Sequence, residues 1–250
     1  MVAQREYNMI NVSVCASSIR PHLWQKMYDS LTQNTCSWEM IMVGPNQGES
    51  PGPNFKHIQT NVKPSQCYEI AFRAAQGETL TWTADDSVYS PCGLDIAYRT
   101  WKSCNDERVV VAFRTIEDGR DITDWHRLRG RDPDAPKMAP FGLMSTKMFH
   151  QFGGYDNRFV CGQSENDIVM RLYEIGGRLE GCEAQAIVNH NEHHNSGTVF
   201  RQGFFFLDRL ALESNWIDDK TILRTRLSPV RSFINDGILE ITQGEKGHWL

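Results

Sequence analysis

Thr79-Leu-Thr-Trp-Thr-Ala-Asp-Asp-Ser-Val-Tyr-Ser-Pro91 (79–91) is the stretch whose reading decides the fold. Thr79 through Thr83 are β-branched, aromatic or apolar, the residue types that suit a pleated, half-buried strand. Ser90 offers an N-cap and Pro91 a first helical position, so a helix is expected soon after the strand ends. Asp85 and Asp86 then fall in the loop at the carboxyl end of a strand, where open α/β sheets bind ligands. Hard divalent cations take carboxylate oxygens together with substrate phosphates, so the pair suits a cation that carries a diphosphate. Asp is also common in turns for purely local reasons, and on this stretch alone both readings stand.

Upstream, Asn11 to Ala16 alternates polar and apolar residues like a strand. Ser17, Ser18, Ile19 and Arg20 follow as a loop before Pro21 opens a helix. Leu23, Trp24, Met27 and Leu31 recur at helical spacing, giving that helix a face to pack on the sheet. Trp38 to Val43 reads as a second strand, ended by Gly44-Pro45-Asn46, and 44–54 as a long surface loop. Phe55 to Thr60 is a third strand. In Ser65 to Ala75 the residues Cys67, Ile70, Ala71, Ala74 and Ala75 form an apolar helical stripe that Gly77 terminates. Three strands alternating with helices predict an α/β fold, with a mostly parallel sheet flanked by helices. The sequence has neither a GxGxxG nor a Walker loop, so a nucleotide would be held by strand-end loops and a metal.

Downstream, Pro91 to Ser103 is expected as a helix and Val109 to Arg114 as a strand. The segment 117–140 then turns polar, with eleven charged residues and three prolines. It reads as too polar for core and too long for a plain connection, so a lid or binding loop is expected. Pro140 to Ser145 returns to strand-like sequence, and Ser145 caps a short helix through Gln151. In Phe152-Gly-Gly-Tyr-Asp-Asn-Arg-Phe-Val-Cys-Gly-Gln-Ser-Glu-Asn-Asp, Ser164 is the expected N-cap of a helix. Glu165 and Asp167 occupy its first turn, where the helix dipole favours negative charge. Capping explains both acids; the functional alternative is that one of them is a general base. Ala186-Ile-Val-Asn-His-Asn-Glu-His-His places His190, His193 and His194 in one short segment after a strand. No cysteine pattern supports a closed zinc site, whereas one histidine could complete an Asp-bound metal. Val199 to Trp216 is apolar and aromatic at helical spacing, a packing helix. The tail through Ile241 to Trp249 could return over the site or extend into solvent.

At 250 residues, 40% hydrophobic and 23% charged, the chain can bury a full core. Its formal net charge of -5 argues against a general nucleic-acid binder. No apolar run approaches a membrane span and the first ten residues lack signal-peptide character, so a cytoplasmic protein is expected. Seven scattered cysteines without a CxxC pair fit reduced thiols.

Taken in order, these pieces resemble the GT-A glycosyltransferases, and among them the family 2-like inverting enzymes. Val12 to Pro21 resembles the family's first nucleotide-contacting loop. Ser65 to Gly77 with Glu78-Thr-Leu-Thr-Trp-Thr-Ala-Asp-Asp resembles the helix and strand leading to its D-x-D motif. Gly153-Gly-Tyr-Asp-Asn-Arg-Phe resembles its acceptor-side segment, and Ser164-Glu-Asn-Asp-Ile-Val-Met-Arg its E-D-x-D-L-x-x-R helix. The resemblance covers roughly 11–194. It implies a nucleotide-diphosphate sugar donor, Mn2+ or Mg2+ on the diphosphate, and transfer to an acceptor hydroxyl of a glycan or other saccharide.

Carried over by position, the resemblance places the donor against Ala16, Ser17, Ser18, Arg20, Asn46, Gln66, Asp85 and Asp86. It places the metal on Asp86, Asp85 and His190, and the acceptor against Gly153, Gly154 and Tyr155. Glu165 takes the position of the catalytic base, with Asp167 as the next acid of the motif. Trp125 and Tyr155 are candidates to stack on sugar. Thr83 stands where D-x-D has its first Asp, and Asn46 where a carboxylate usually contacts the base. The implied organisation is a transferase domain over 1–195, with a nucleotide-sugar half of about 1–104 and an acceptor half of about 105–195. A helical extension over 196–250 packs on the same domain. Two rivals remain: a nucleotidyltransferase, disfavoured by Cys-Ala-Ser-Ser-Ile-Arg in place of a glycine-rich loop, and a non-catalytic carbohydrate-binding or scaffold protein.

Overall fold

The computed structural model describes residues 9–129, 132–190 and 203–233. The first half runs β1 (Val12–Ser17), α1 (Trp24–Leu31), β2 (Trp38–Gly44), β3 (Phe55–Gln59), α2 (Pro64–Ala74), β4 (Thr79–Trp82), β5 (Ser87–Tyr89) and α3 (Gly93–Cys104). There follow β6 (Val109–Glu117), β7 (Arg120–Asp121), β8 (Gly142–Ser145), α4 (Thr146–Gln151), α5 (Ser164–Glu174) and β9 (Arg178–Val188). Last come α6 (Phe204–Trp216) and a small hairpin of β10 (Ile217–Asp218) and β11 (Thr221–Ile222). His193, His194 and the tail 241–249 lie outside the described residues. Among the described residues no helix is long and apolar enough to cross a membrane.

The main sheet has the order β3-β2-β1-β4-β8-β6-β9-β5, with β7 paired to β6. The strands β3-β2-β1-β4 are parallel, as successive strand-helix units require. β8 enters antiparallel between β4 and β6, and β6 and β9 are again parallel. Alternation along β1 sends Val12, Val14 and Ala16 to the apolar cluster that includes Trp24 and Met27 of α1 and Leu94 and Ala97 of α3. Cys15 joins the opposite cluster, with Cys67, Ile70 and Phe72 of α2, Phe149 of α4, Ile168 and Val169 of α5 and Leu212 and Trp216 of α6. Burying one large apolar side chain stabilises by about 1.5–3 kcal/mol, so these two layers, one on each sheet face, dominate the stability of the fold.

β5 was not legible from periodicity. The sequence reads as loop through Ser90, but Ser87–Tyr89 pairs antiparallel with the end of β9 at the far edge of the sheet. Only four residues, 83–86, join β4 in the middle of the strand order to β5 at its end. The sheet must therefore curl until the ends of these two strands approach. Ser87 lies opposite Val188, and Val188 opposite Glu117, so the Asp pair, the end of β6 and the segment after β9 meet in one place.

Three expectations change. Ser90 and Pro91 do not start α3, which begins at Gly93 after Cys92 in the left-handed region at φ 55. Ser164 is the first residue of α5 rather than its cap; the cap position is Gln163, also left-handed at φ 64. The segment 117–140 is not excluded from the core. Leu128, Ala135, Met138 and Ala139 are buried in the main cluster, the Ala139 carbonyl accepts from Trp82 Nε1 at 3.0 Å, and the Lys137 carbonyl accepts from Tyr173 Oη at 2.9 Å. Asp118, Arg120, Asp121, Asp124, Asp134 and Lys137 are exposed while a few small and apolar residues pin the segment down, which composition averaged over it hides.

Candidate functional site

The loop that leaves β1 is held from both sides. Gly44, at the end of β2, approaches so closely that a Cβ there would lie 1.7 Å from the Ser18 carbonyl oxygen. Asn46 Nδ2 donates to the Ile19 carbonyl at 2.7 Å. From the other side Asp85, 4% exposed, accepts at Oδ2 from Ser18 Oγ at 3.0 Å, Ile19 N at 3.0 Å and Arg20 N at 3.1 Å. Its Oδ1 accepts from Arg20 Nε at 2.9 Å and from Arg20 Nη2. Asp85 is thus filled by five donors and acts as the anchor of the loop. A cation at Asp85 would have to displace that set. Arg20 also reaches Asp86, with Nη1 2.7 Å from Oδ2. Ala16, in β1, and Gln66, in α2, are buried and do not line an open surface.

Asp86 has a different neighbourhood. The register of β5, β9 and β6 brings it into the field of Glu117, whose carboxyl is raised above its ordinary range by burial, opposed by His190 and reinforced by Asp118 and Asp86. His190 Nε2 lies 3.9 Å from Glu117 Oε2. Among the described residues no three Asp, Glu, His or Cys side chains converge as a ready ligand shell. Glu117 was missed in the sequence, where it reads as the first residue of the polar segment; its signal was its place at the end of β6, level with the His190 segment.

Glu165 enters from the other side. It follows the left-handed Gln163 and keeps part of its surface open, while the protein around it is dense enough that burial pushes its carboxyl up to about 7. Backbone N–H groups of Gln163 and Glu165 oppose that rise and the charge of Asp208 adds to it. Tyr68, a half-buried residue of α2 with no signal of its own in the sequence, lies within the field of both Glu165 and the Asp pair. Its hydroxyl donates to the Thr83 carbonyl at 2.7 Å. Burial, then the charges of Asp85, Glu165 and Asp86, hold its proton well above the usual phenol range. One ring thus lies within electrostatic reach of both sets of carboxylates.

No family model matches the chain, and no curated protein matches it. Solved structures do. The S. aureus TarS fragment 1-349 superposes with a TM-score of 0.57 at 12% identity, over 84% of this chain and 67% of that one. A second S. aureus TarS structure gives 0.52 at 12% identity, over 72% and 35%. GalNAc-T7 with UDP, GalNAc and Mn2+ gives 0.62 at 10% identity, over 86% and 49%. The chain has a GT-A-like fold. Its neighbours are glycosyltransferases, and at such identity the likeness reaches the fold alone. The chain spans about half of GalNAc-T7 and about a third of the longer TarS chain.

On this GT-A-like frame the Gly-Gly segment is a junction between helices. Gly153 and Gly154 are left-handed at φ 81 and 78, and a Cβ on Gly154 would come 2.3 Å from Glu69 Oε1. Glu69 Oε2 accepts from Tyr155 N at 2.9 Å, and Arg171 of α5 donates to the Phe152 and Gly154 carbonyls at 2.9 and 2.8 Å. The Tyr155 ring is 2% exposed among Tyr68, Phe72 and Phe149. Its faces are occupied by protein, which corrects its assignment as a sugar platform. Trp125, by contrast, is 42% exposed on a short helical turn, Thr123–Trp125.

Asp167 is also corrected. It is fully buried, accepting from Trp216 Nε1 at 2.8 Å and Arg226 Nε at 3.1 Å, with Arg171 Nε 3.0 Å from its other oxygen. Its carboxylate has no surface open to solvent. Asp156, buried as well, accepts from Arg158 Nη2 at 2.7 Å and Arg226 Nη2 at 2.7 Å. These two carboxylates and three arginines join the segment after the Gly-Gly turn and α5 to α6 and the segment after it.

Proposed function

We propose that the chain transfers a sugar from a nucleotide-diphosphate sugar to a saccharide hydroxyl with inversion. The observation that carries this reading is Glu165, a carboxylate at the start of α5 that burial pushes up to about 7, whose charge acts on the same Tyr68 as the Asp pair on a GT-A-like fold. A base is most effective when its pKa lies near the working pH. Glu165 takes the proton from the acceptor hydroxyl as its oxygen bonds to the anomeric carbon. The bond from that carbon to the β-phosphate oxygen breaks on the opposite face, and the nucleoside diphosphate leaves with the electron pair. The Ser17–Arg20 loop, fixed by Asp85 and Asn46, holds the nucleotide, and Arg20 presents a cation toward the phosphates.

The fold neighbour GalNAc-T7 was solved with UDP, GalNAc and Mn2+. Nucleotide sites hold Mg2+ or a similar cation with one or two protein ligands plus phosphate oxygens. Here Asp86 and His190 would be those ligands, with Glu117 beside them; Asp85 does not fit. When bound, the cation would offset charge on the departing diphosphate as a Lewis acid. The two-part division at about 104 and the extension beyond 195 belong to the same proposal.

Single-turnover release of nucleoside diphosphate from a panel of sugar nucleotides, with Mn2+ or Mg2+ and a saccharide acceptor, tests the reading. Acceptor-dependent release supports it. Donor binding without release under every condition would favour the second reading, a non-catalytic binding protein on the same fold, for which the five-donor occupancy of Asp85 speaks.

A further inference from the structure

Asp208 lies in the first turns of α6, in a stretch that reads from sequence as plain packing helix. It is 1% exposed. Its carboxylate is closed by three consecutive backbone donors: Val160 N to Oδ1 at 2.8 Å, and Cys161 N and Gly162 N to Oδ2 at 2.7 and 2.9 Å. These residues immediately precede Gln163, whose left-handed conformation is uncommon for a residue other than glycine and is held only where the surroundings over-determine it. The next side chain but one is Glu165. The approach is tight on the helix side too, since a Cβ on Gly162 would meet the Phe205 ring at 2.9 Å. Three N–H groups turned onto one buried carboxylate make a charge-assisted set, stronger than neutral hydrogen bonds.

We propose that Asp208 is a positioning residue for Glu165: by gathering the three amides of Val160, Cys161 and Gly162 it fixes the turn at Gln163 and so the direction from which Glu165 enters the site. This rests on the assignment of Glu165 as the base. Asp208 has a second effect through its charge. The titratable groups within electrostatic reach of Glu165 are Tyr68 from α2, Tyr155 from the Gly-Gly segment, Cys161 from the preceding loop and Asp208 from α6. Asp208 is the acid among them, and its charge favours the protonated form of Glu165. The extension after the sheet thereby fixes the place of a group on α5 and adds to the rise in proton affinity that burial causes. Loss of a base's alignment lowers turnover steeply even when ground-state binding survives.

The test is Asp208→Asn in the full chain, read by 13C NMR titration of the Glu165 carboxyl and by transfer kinetics with a sugar nucleotide. The amide keeps the size of the side chain but removes the charge and one acceptor oxygen. The Glu165 titration and the acid limb of kcat/KM are expected to move to lower pH by roughly half a unit or more. kcat is expected to fall about tenfold or more with donor KM nearly unchanged. A titration and a kcat equal to the parent's would overturn the proposal. Should the parent transfer no sugar at all, the NMR shift still reads Asp208 against Glu165, so failure of the enzyme reading and failure of this one are separate results. Should Asp208→Asn not fold, Asp208→Glu keeps the charge and displaces the carboxylate by one methylene. It is expected to keep the parent's acid limb at lower kcat, and an unchanged kcat would refute the positioning role.

Discussion

Replacing Arg226 by Met removes one cation from two buried carboxylates at once, with little loss of volume. Arg226 is 5% exposed at its side chain, and Asp156 and Asp167 are 0% exposed. The Nη1 bond to the Ser228 carbonyl at 2.5 Å is lost, and with it two charge-assisted hydrogen bonds to the buried acids, Nη2 to Asp156 at 2.7 Å and Nε to Asp167 at 3.1 Å. At about 1.5–3 kcal/mol each the two bonds to the acids amount to roughly 3–6 kcal/mol, and breaking one side of a buried pair costs about 3–5 kcal/mol. Arg158 and Arg171 remain on the two acids, so we expect about 3–5 kcal/mol by urea unfolding at pH 7. For a chain of this size that is a fall in melting temperature of roughly 6–20 °C.

The pH dependence gives an independent check. Burial alone would raise Asp156, but Arg158 hydrogen bonds and the Arg158 and Arg226 charges outweigh it and hold its carboxyl at about 2, below the model-compound 3.8. A depressed acid stabilises above its unfolded pKa, and that contribution, about 2 kcal/mol, is lost as pH falls from about 4 through about 2. Arg226→Met should flatten part of this loss. A variant that loses less than 1 kcal/mol at pH 7, or keeps the parent's slope between pH 4 and 2, would show that the network does not join the extension to the domain.

Three further outcomes follow from the site. Asp86→Ala should remove the Mn2+ or Mg2+ dependence of donor binding by calorimetry, with His190→Ala weakening it; unchanged cation dependence in both would reject these ligands. Gly154→Ala should destabilise by roughly 1–3 kcal/mol in urea, because it adds strain at positive φ and a collision with Glu69; a neutral result would mean the turn can relax. Glu165→Gln should raise the melting temperature above pH 7, since burial makes the ionised acid costly there, and leave it unchanged below pH 4. A lower melting point at pH 8 would return Glu165 to a helix-capping role.

What could be read from the sequence was local. Strand-helix alternation, the stripe of α2 and the place of Asp85 and Asp86 after β4 all depend on periodicity within a dozen residues. What escaped depends on distant pairing. β5 is three residues long and takes its partner from β9. Asp167 looked like a first-turn acid because its neighbours Trp216 and Arg226 lie 49 and 59 positions away. Asp208 resembles any helix acid until the Val160–Gly162 amides are seen to close on it. Asp85 was placed in the loop, but its five donors come from a turn far upstream, and they make it the anchor of that turn.

The central claim is that Glu165 acts as the base for sugar transfer, and the pH profile of kcat/KM tests it most directly. The carboxylate works deprotonated, so the rate should rise with pH through about 7 and level above it, while Glu165→Gln should bind donor normally and turn over about 10²- to 10⁴-fold more slowly. A parent profile flat from pH 5 to 8, or a Glu165→Gln protein that transfers sugar at the parent's rate, would contradict the account.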